Sequence, residues 1–182
     1  MTITTRNGKT LSGPSISKAV ENEKKPDPGA FTIPCTVGSM KFTKALYDLG
    51  ESINLMPLDI YNKLRLGEPT PTTMRLVIVD RSVKRPVGIL HVVPVKVDDF
   101  ILPADFVILD CDVYFEVPII LGRPLLSMGR VLVDMELNEI KFRYGKREAR
   151  FKMHPPMKQL EEINIFSVVD VFQENGNEVS IR

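Results

Sequence analysis

Ala45-Leu46-Tyr47-Asp48-Leu49-Gly50, continuing as Ser52-Ile53-Asn54-Leu55-Met56-Pro57, is the stretch on which the reading of this chain turns. An apolar run stops at an aspartate, and a glycine follows two positions later. A carboxylate at the end of an apolar strand is costly to bury, so such a residue is either surface decoration or working chemistry. Far downstream a second apolar run, Val117-Pro118-Ile119-Ile120-Leu121-Gly122-Arg123-Pro124, again ends at a glycine. Two apolar strands that each stop at glycine need mutual burial, which places Asp48 and Gly122 close together.

Around these two stretches the chain reads as short strands with turn signals between them. Residues 31–37 are apolar and β-branched, and Pro34 within them suits an outer or edge strand. Gly38-Ser39 turns the chain, and 40–48 returns as the hairpin partner. Beyond the Asp48 loop, Leu58, Tyr61 and Leu64 fall near helical spacing. Pro57 suits the first turn and Gly67 the stop, which predicts a short helix over 57–66. Residues 74–79 and 87–97 are expected to pair as a long hairpin with a polar, basic tip over 80–86. Residues 100–109 form a further strand, with Pro103 at a bulge or edge. Residues 117–121 are apolar enough to be buried on both faces. Residues 125–128 make a helical turn that ends at Gly129. A last hairpin joins 131–135 to 139–144, and 147–153 adds one more strand. Many short strands with Gly and Pro punctuation imply an all-β, barrel-like fold.

The chain has 182 residues, enough for one domain with a real core. Residues 1–29 carry almost no large apolar side chains and end in Pro26-Asp27-Pro28-Gly29, the composition of a disordered linker. The folded domain is expected over 30–153, followed by a weakly structured extension over 154–182. A net charge of +1, from 24 basic and 23 acidic residues, gives no footprint for nucleic acid. Lys146, Arg147 and Arg150 read as the solvated face of a hairpin arm. Cys35 and Cys111 lack zinc spacing, and free thiols point to a reducing, cytoplasmic setting. The polar N-terminus has no signal-peptide pattern, and no apolar run approaches the ~20 residues of a membrane span. His91 and His154 have no second ligand at metal spacing, so neither metal nor cofactor is expected. Cys111 lies between Asp110 and Asp112, a field that disfavours a thiolate nucleophile. Asp134 also ends an apolar run, but without a following glycine it reads as a turn-capping or surface acid.

Asp48 and Gly50 behind their apolar lead-in, with Leu121-Gly122-Arg123 as the second segment, resemble the two halves of a retropepsin-type aspartic protease protomer. Asn54-Leu55-Met56-Pro57 and the Pro124 after Gly122-Arg123 narrow this. They are similar to the protease region in gag–pol polyproteins of plant gypsy-type LTR retrotransposons. Thr4-Thr5-Arg6-Asn7-Gly8, running to Gly13-Pro14, resembles the linker that precedes that region. The likeness spans residues 31–151.

That resemblance implies a small closed barrel of retropepsin (acid protease) type with one or two short helices. It implies a homodimer in which Asp48 of each protomer forms a dyad that hydrolyses polypeptide, its own polyprotein being the natural substrate. Gly50 and Ser52 would support the catalytic loop, and Leu121, Gly122 and Arg123 would pack beneath it. Asp80, Arg81, Ser82, Val83 and Lys84 would form the flap that covers substrate. Two positions depart from the family. Leu49 stands where Thr or Ser normally ties the two loops across the dimer. Glu51 stands where a small residue is usual, and its carboxylate is expected to face solvent. Neither membrane nor nucleic acid is implied as a partner. The other reading these departures leave open is a catalytically silent retropepsin fold that serves as a dimerisation or peptide-binding module.

Overall fold

The structure is a computed structural model that describes residues 3–4, 10–11, 29–78, 81–111, 118–154 and 168–173. Within the segment expected to be linker, β1 (Ile3–Thr4) and β2 (Thr10–Leu11) pair antiparallel. The remainder of that segment before residue 29 lies outside the described residues.

Strands β3 (Ala30–Val37) and β4 (Met40–Asp48) form the hairpin read from the sequence. They turn at Gly38, whose φ of 55° is a conformation glycine adopts without a Cβ penalty. Strand β5 (Asn54–Pro57) runs directly into helix α1 (Leu58–Leu64). The helix stops at Arg65, before the Gly67 expected from the sequence. Arg65 itself takes the left-handed cap and donates its N–H to Tyr61 O, and the Tyr61 hydroxyl donates to Gly67 O at 2.7 Å.

Next come β6 (Met74–Ile78), β7 (Val83–Lys84), β8 (Gly88–Val97), β9 (Phe100–Leu109), β10 (Ile120–Leu121) and helix α2 (Arg123–Met128). The described chain ends with β11 (Leu132–Asp134), β12 (Glu139–Tyr144), β13 (Arg147–Lys152) and β14 (Val168–Gln173). Six strands close a barrel in the order β10-β4-β3-β8-β9-β5, with β5 pairing back to β10. A mostly-β molecule with a closed barrel and two short helices is what the punctuation of the sequence implied.

Two strand placements differ from the sequence reading. Strand β3 is not an edge, for it lies between β4 and β8. Pro34 is tolerated there because the register to β4 shifts between Ile33 and Cys35, and β8 pairs only with Thr36 and Val37. Its missing N–H therefore costs no ladder bond. The long hairpin of 74–79 with 87–97 does not form either. Strand β6 pairs with the short β7, whereas β8 pairs with β9 and β3. The start of β8 is already taken: Thr70 and Ile89 exchange hydrogen bonds at 2.8 and 2.9 Å, and Gly88 lies so close that a Cβ would meet Thr70 O at 2.7 Å.

The main core fills the barrel. Tyr47 stacks on Phe31 and meets Phe142 edge-on, both at 5.9 Å between centroids. Phe142, Ile140 and Ala149 come from the β11–β12–β13 sheet, so that sheet caps the barrel with apolar side chains. A fully buried large side chain such as Phe142 or Ile140 contributes about 1.5–3 kcal/mol. A second, separate cluster joins Leu46, Leu55, Val107, Leu109 and Ile120 of the barrel to Leu76 of β6. This cluster positions the site.

Candidate active site

Asp48 is the last residue of β4, paired in register with Ala30 of β3. The chain then turns on the aspartate's own side chain: Gly50 donates its N–H to Asp48 Oδ1 at 2.8 Å, an Asx-type turn. Gly50 suits that turn sterically, because a Cβ there would stand 3.1 Å from the same oxygen. The Leu49 N–H donates to Gly29 O at 2.9 Å, which ties the loop to the entrance of β3. The Leu49 side chain is 38% exposed.

Strand β10 comes up beside this loop from the second stretch of sequence. Ile120 pairs with Leu46 and Leu121 with Tyr47 in parallel, while Ile120 also pairs antiparallel with Leu55 of β5. Two-residue β10 thus fills the gap between the strands that lead into and out of the Asp48 loop, and its side chains are buried. Gly122 follows, pressed against the loop backbone. A Cβ on Gly122 would collide with Ile53 O and stand 2.7 Å from Glu51 O. The Arg123 N–H donates to Glu51 O at 2.9 Å, while the Arg123 side chain is exposed. The two glycine-ended strands are therefore neighbours, as their apolar runs required.

Asn54 locks the crossing. It is 2% exposed, its Oδ1 accepts the Gly122 N–H at 2.9 Å, and its Nδ2 donates to Asp105 O at 3.0 Å. One amide therefore joins β5, β9 and the turn after β10. The sequence signal for it is a single amide inside an apolar run, Ile53 to Pro57, which motif reading passes over. Glu51 corrects an expectation: it is 4% exposed and does not face solvent. Its backbone is pressed against Gly122 and accepts the Arg123 N–H at 2.9 Å, which draws the residue in under the loop. Ser52 is half-buried in the bend between them.

Above the second cluster stands the β6–β7 hairpin. Leu76 and Val77 pair with Lys84 and Val83. Leu76 is fully buried among Leu46, Leu55 and Ile120, the residues that lead into and out of the Asp48 loop. Arg81 sits at the tip with a left-handed φ of 64°, and Arg81, Val83 and Lys84 are exposed while Ser82 is half-buried. Asp80 lies outside the described residues. The hairpin tip thus begins where the flap was expected, but its second arm is β7 and not β8.

The barrel has a counterpart among solved structures. The retroviral protease-like domain of Ddi1 from Leishmania major matches with a TM-score of 0.54, covering 70% of this chain and 96% of that one at 18% identity. The fold is retropepsin-like. Neither a protein-family model nor a curated protein sequence matches the chain.

The retropepsin-like barrel holds two buried groups whose chemistry is silenced by burial. The Cys35 thiol is pushed up to about 12 by burial, slightly offset by the neighbouring Tyr47 hydroxyl. Tyr47 is raised well above the usual phenol range, first by burial and then by Cys35. The Tyr47 hydroxyl faces that thiol without the geometry of a hydrogen bond. Neither group is poised to react. On the outer surface, Asp105 accepts the Val92 N–H at 2.8 Å and meets His91 Nδ1 at 3.0 Å. These two contacts, the first larger, hold its carboxyl below the ordinary range. This pair clamps the β8 bulge at Val92, whose φ is 55°. Among the described residues no helix is long and apolar enough to cross a membrane.

Proposed function

We propose that this chain is one protomer of a homodimeric aspartic endopeptidase and that Asp48 from each copy forms its dyad. The observation that carries the reading is the crossing itself. A carboxylate on the lip of a retropepsin-like barrel is held by the Gly50 N–H at 2.8 Å, with Gly122 packed against the loop backbone. Two carboxylates within a few ångströms cannot both ionise, so the pair keeps one proton. The ionised member takes a proton from a water that attacks the peptide carbonyl. The protonated member donates to the oxygen on which charge develops. No cofactor enters this chemistry. The buried residues Leu46, Leu55, Ile120 and Leu76 pack together beneath the hairpin and hold it over the Asp48 loop, where an extended polypeptide would lie. The β6–β7 hairpin, through Arg81, Ser82, Val83 and Lys84, is its cover. The resemblance of the motifs to gypsy-type gag–pol regions makes the substrate the element's own polyprotein, cleaved in the reducing cytoplasm.

One observation favours a second reading. Leu49 presents an apolar, partly exposed side chain where the dyad's supporting hydroxyl belongs. Two copies of Leu49 would hold a dimer together without the hydroxyl network, and the fold would then serve as a silent dimerisation or peptide-binding module.

The test is cleavage of a polyprotein-derived peptide across pH by the wild type, Asp48→Asn and Leu49→Thr, with dimerisation followed by sedimentation equilibrium. Wild-type activity should peak in mildly acidic solution, where the dyad holds a single proton. Asp48→Asn should lower the rate about 10³-fold or more, since both proton-transfer roles depend on that carboxyl. Leu49→Thr should retain or raise activity, each recovered hydrogen bond being worth on the order of 1 kcal/mol. Cleavage that survives Asp48→Asn sinks the mechanism. A dimer that cleaves nothing in any form establishes the silent module instead.

A further inference from the structure

Strand β6 has two edges. One pairs with β7. The other is taken by β14, which arrives from far along the chain and runs antiparallel to β6 over its whole length, from Val168 opposite Ile78 to Gln173 opposite Met74. The sheet order is therefore β14-β6-β7, with the hairpin strand in the middle. The sequence of β14, Val-Val-Asp-Val-Phe-Gln, is rich in β-branched and aromatic residues and contains neither Gly nor Pro. It is a strong strand former lying in the stretch read from sequence as weakly structured.

Backbone N–H and C=O groups on a strand edge serve one neighbour at a time. Any extended polypeptide that adds to the outer edge of β6 must therefore displace β14. We infer that the outer edge of β6 is a strand-acceptor site for extended polypeptide and that β14 fills it as a tethered competitor. Its ligand class is an extended segment rich in β-branched and aromatic residues, bound by main-chain hydrogen bonds as an added strand. The inference rests on the reading of the β6–β7 hairpin as the cover over a bound peptide. It adds to that reading that the chain carries its own occupant, so that substrate entry is regulated by release of β14. A ligand whose site is mostly filled in this way binds more weakly by the fraction of molecules left open.

The experiment uses the full chain, as the wild type and as a Val171→Pro/Phe172→Pro double variant, two adjacent residues paired with Leu76 and Arg75, one of whose N–H groups faces β6. Proline removes two backbone donors from β14 and leaves β6 and the barrel unaltered. Hydrogen exchange is read at residues 74–78 and, as the control for folding, across β8 and β9. Binding of a fluorescent synthetic peptide of residues 166–175 is read by anisotropy. Slow exchange at 74–78 is expected in the wild type, faster exchange there alone in the variant, and peptide affinity at least about tenfold higher in the variant. Added peptide should restore protection of 74–78 in the variant, and the same peptide with the two prolines should not. Equal affinity for both chains, or unchanged exchange at 74–78 in the variant, overturns the inference. Should the variant lose protection across β8 and β9 as well, the wild type decides alone, since free exchange at 74–78 there refutes the pairing and slow exchange that excess peptide leaves in place supports it. Cleavage is scored separately. Binding of the 166–175 peptide, with no hydrolysis of the polyprotein-derived peptide by a chain shown to be dimeric, removes the protease reading and leaves the acceptor site standing.

Discussion

The Asp48 loop and the β6–β7 hairpin flank the same apolar cluster, yet they are held by different means. The loop is fixed from all sides by short backbone contacts: Gly50 to Asp48, Leu49 to Gly29, Arg123 to Glu51, and the buried Asn54 amide to Gly122. The hairpin is anchored by one fully buried side chain, Leu76, and by strand pairing, while Arg81, Val83 and Lys84 stand in solvent. A region tied to several elements by hydrogen bonds, one of them buried, opens only when the barrel opens. A hairpin in a small separate sheet, held to the barrel through Leu76, can open by itself. The difference separates a part fixed to the barrel from a part that can open on its own.

Gly122→Ala puts that contrast under the heaviest load. The new methyl would press on the carbonyl oxygens of Ile53 and Glu51, which are backbone and cannot swing aside. Urea denaturation should show a loss of about 3 kcal/mol, at the upper end for overpacking. A loss below about 1 kcal/mol would mean that the crossing is looser than its contacts indicate. Asn54→Ala should follow, at about 1–3 kcal/mol, because it leaves the buried Gly122 N–H without an acceptor. The same denaturation series measures it.

Leu76→Ala sharpens the comparison from the other side. Truncating a buried leucine costs about 2–5 kcal/mol when the whole domain feels it. Here the hairpin should absorb the change, with faster hydrogen exchange confined to 74–78 and little change across β8 and β9. Equal acceleration in the barrel would show that loop and hairpin are one cooperative unit.

Asp105 should give the smallest effect. Its carboxyl is held below the usual range, chiefly by the Val92 N–H and then by His91. A lowered folded pKa means that the ionised form stabilises the fold above the ordinary aspartate range. That contribution disappears as pH falls through the folded value. The side chain is 58% exposed, so screening leaves about 0.5 kcal/mol or less. Denaturation of wild type and Asp105→Ala should differ slightly at neutral pH and converge in acid. A difference that grows on acidification would show another group to be responsible.

Much of the barrel was legible because its signals are local. The Phe31 run, the Gly38 turn and the apolar lead into Asp48 are each encoded within a few residues and formed where expected, while the helix after Pro57 formed but stopped at Leu64. The juxtaposition of Asp48 with Gly122 was legible for a related reason. Two apolar strands that each stop at a glycine have few ways to bury one another. Strand partners were less legible. The sequence of 87–97 suits a hairpin with 74–79 as well as it suits the pairing with β9 and β3 that forms, because β-branched runs specify a strand and not its neighbour.

Local sequence is enough for an all-β chain with an aspartate at the end of one apolar strand and a glycine at the end of another. Those features depend on side-chain chemistry and backbone freedom within short windows. Long-range packing set the rest: Glu51 is buried, Asn54 is the buried link between three elements, Pro34 sits exposed on a strand that has neighbours on both sides, and β14 covers the outer edge of β6. Each of these depends on which distant backbone group arrives to fill a hydrogen bond or a void. That is settled by closure of the barrel and cannot be read from residues adjacent in the chain.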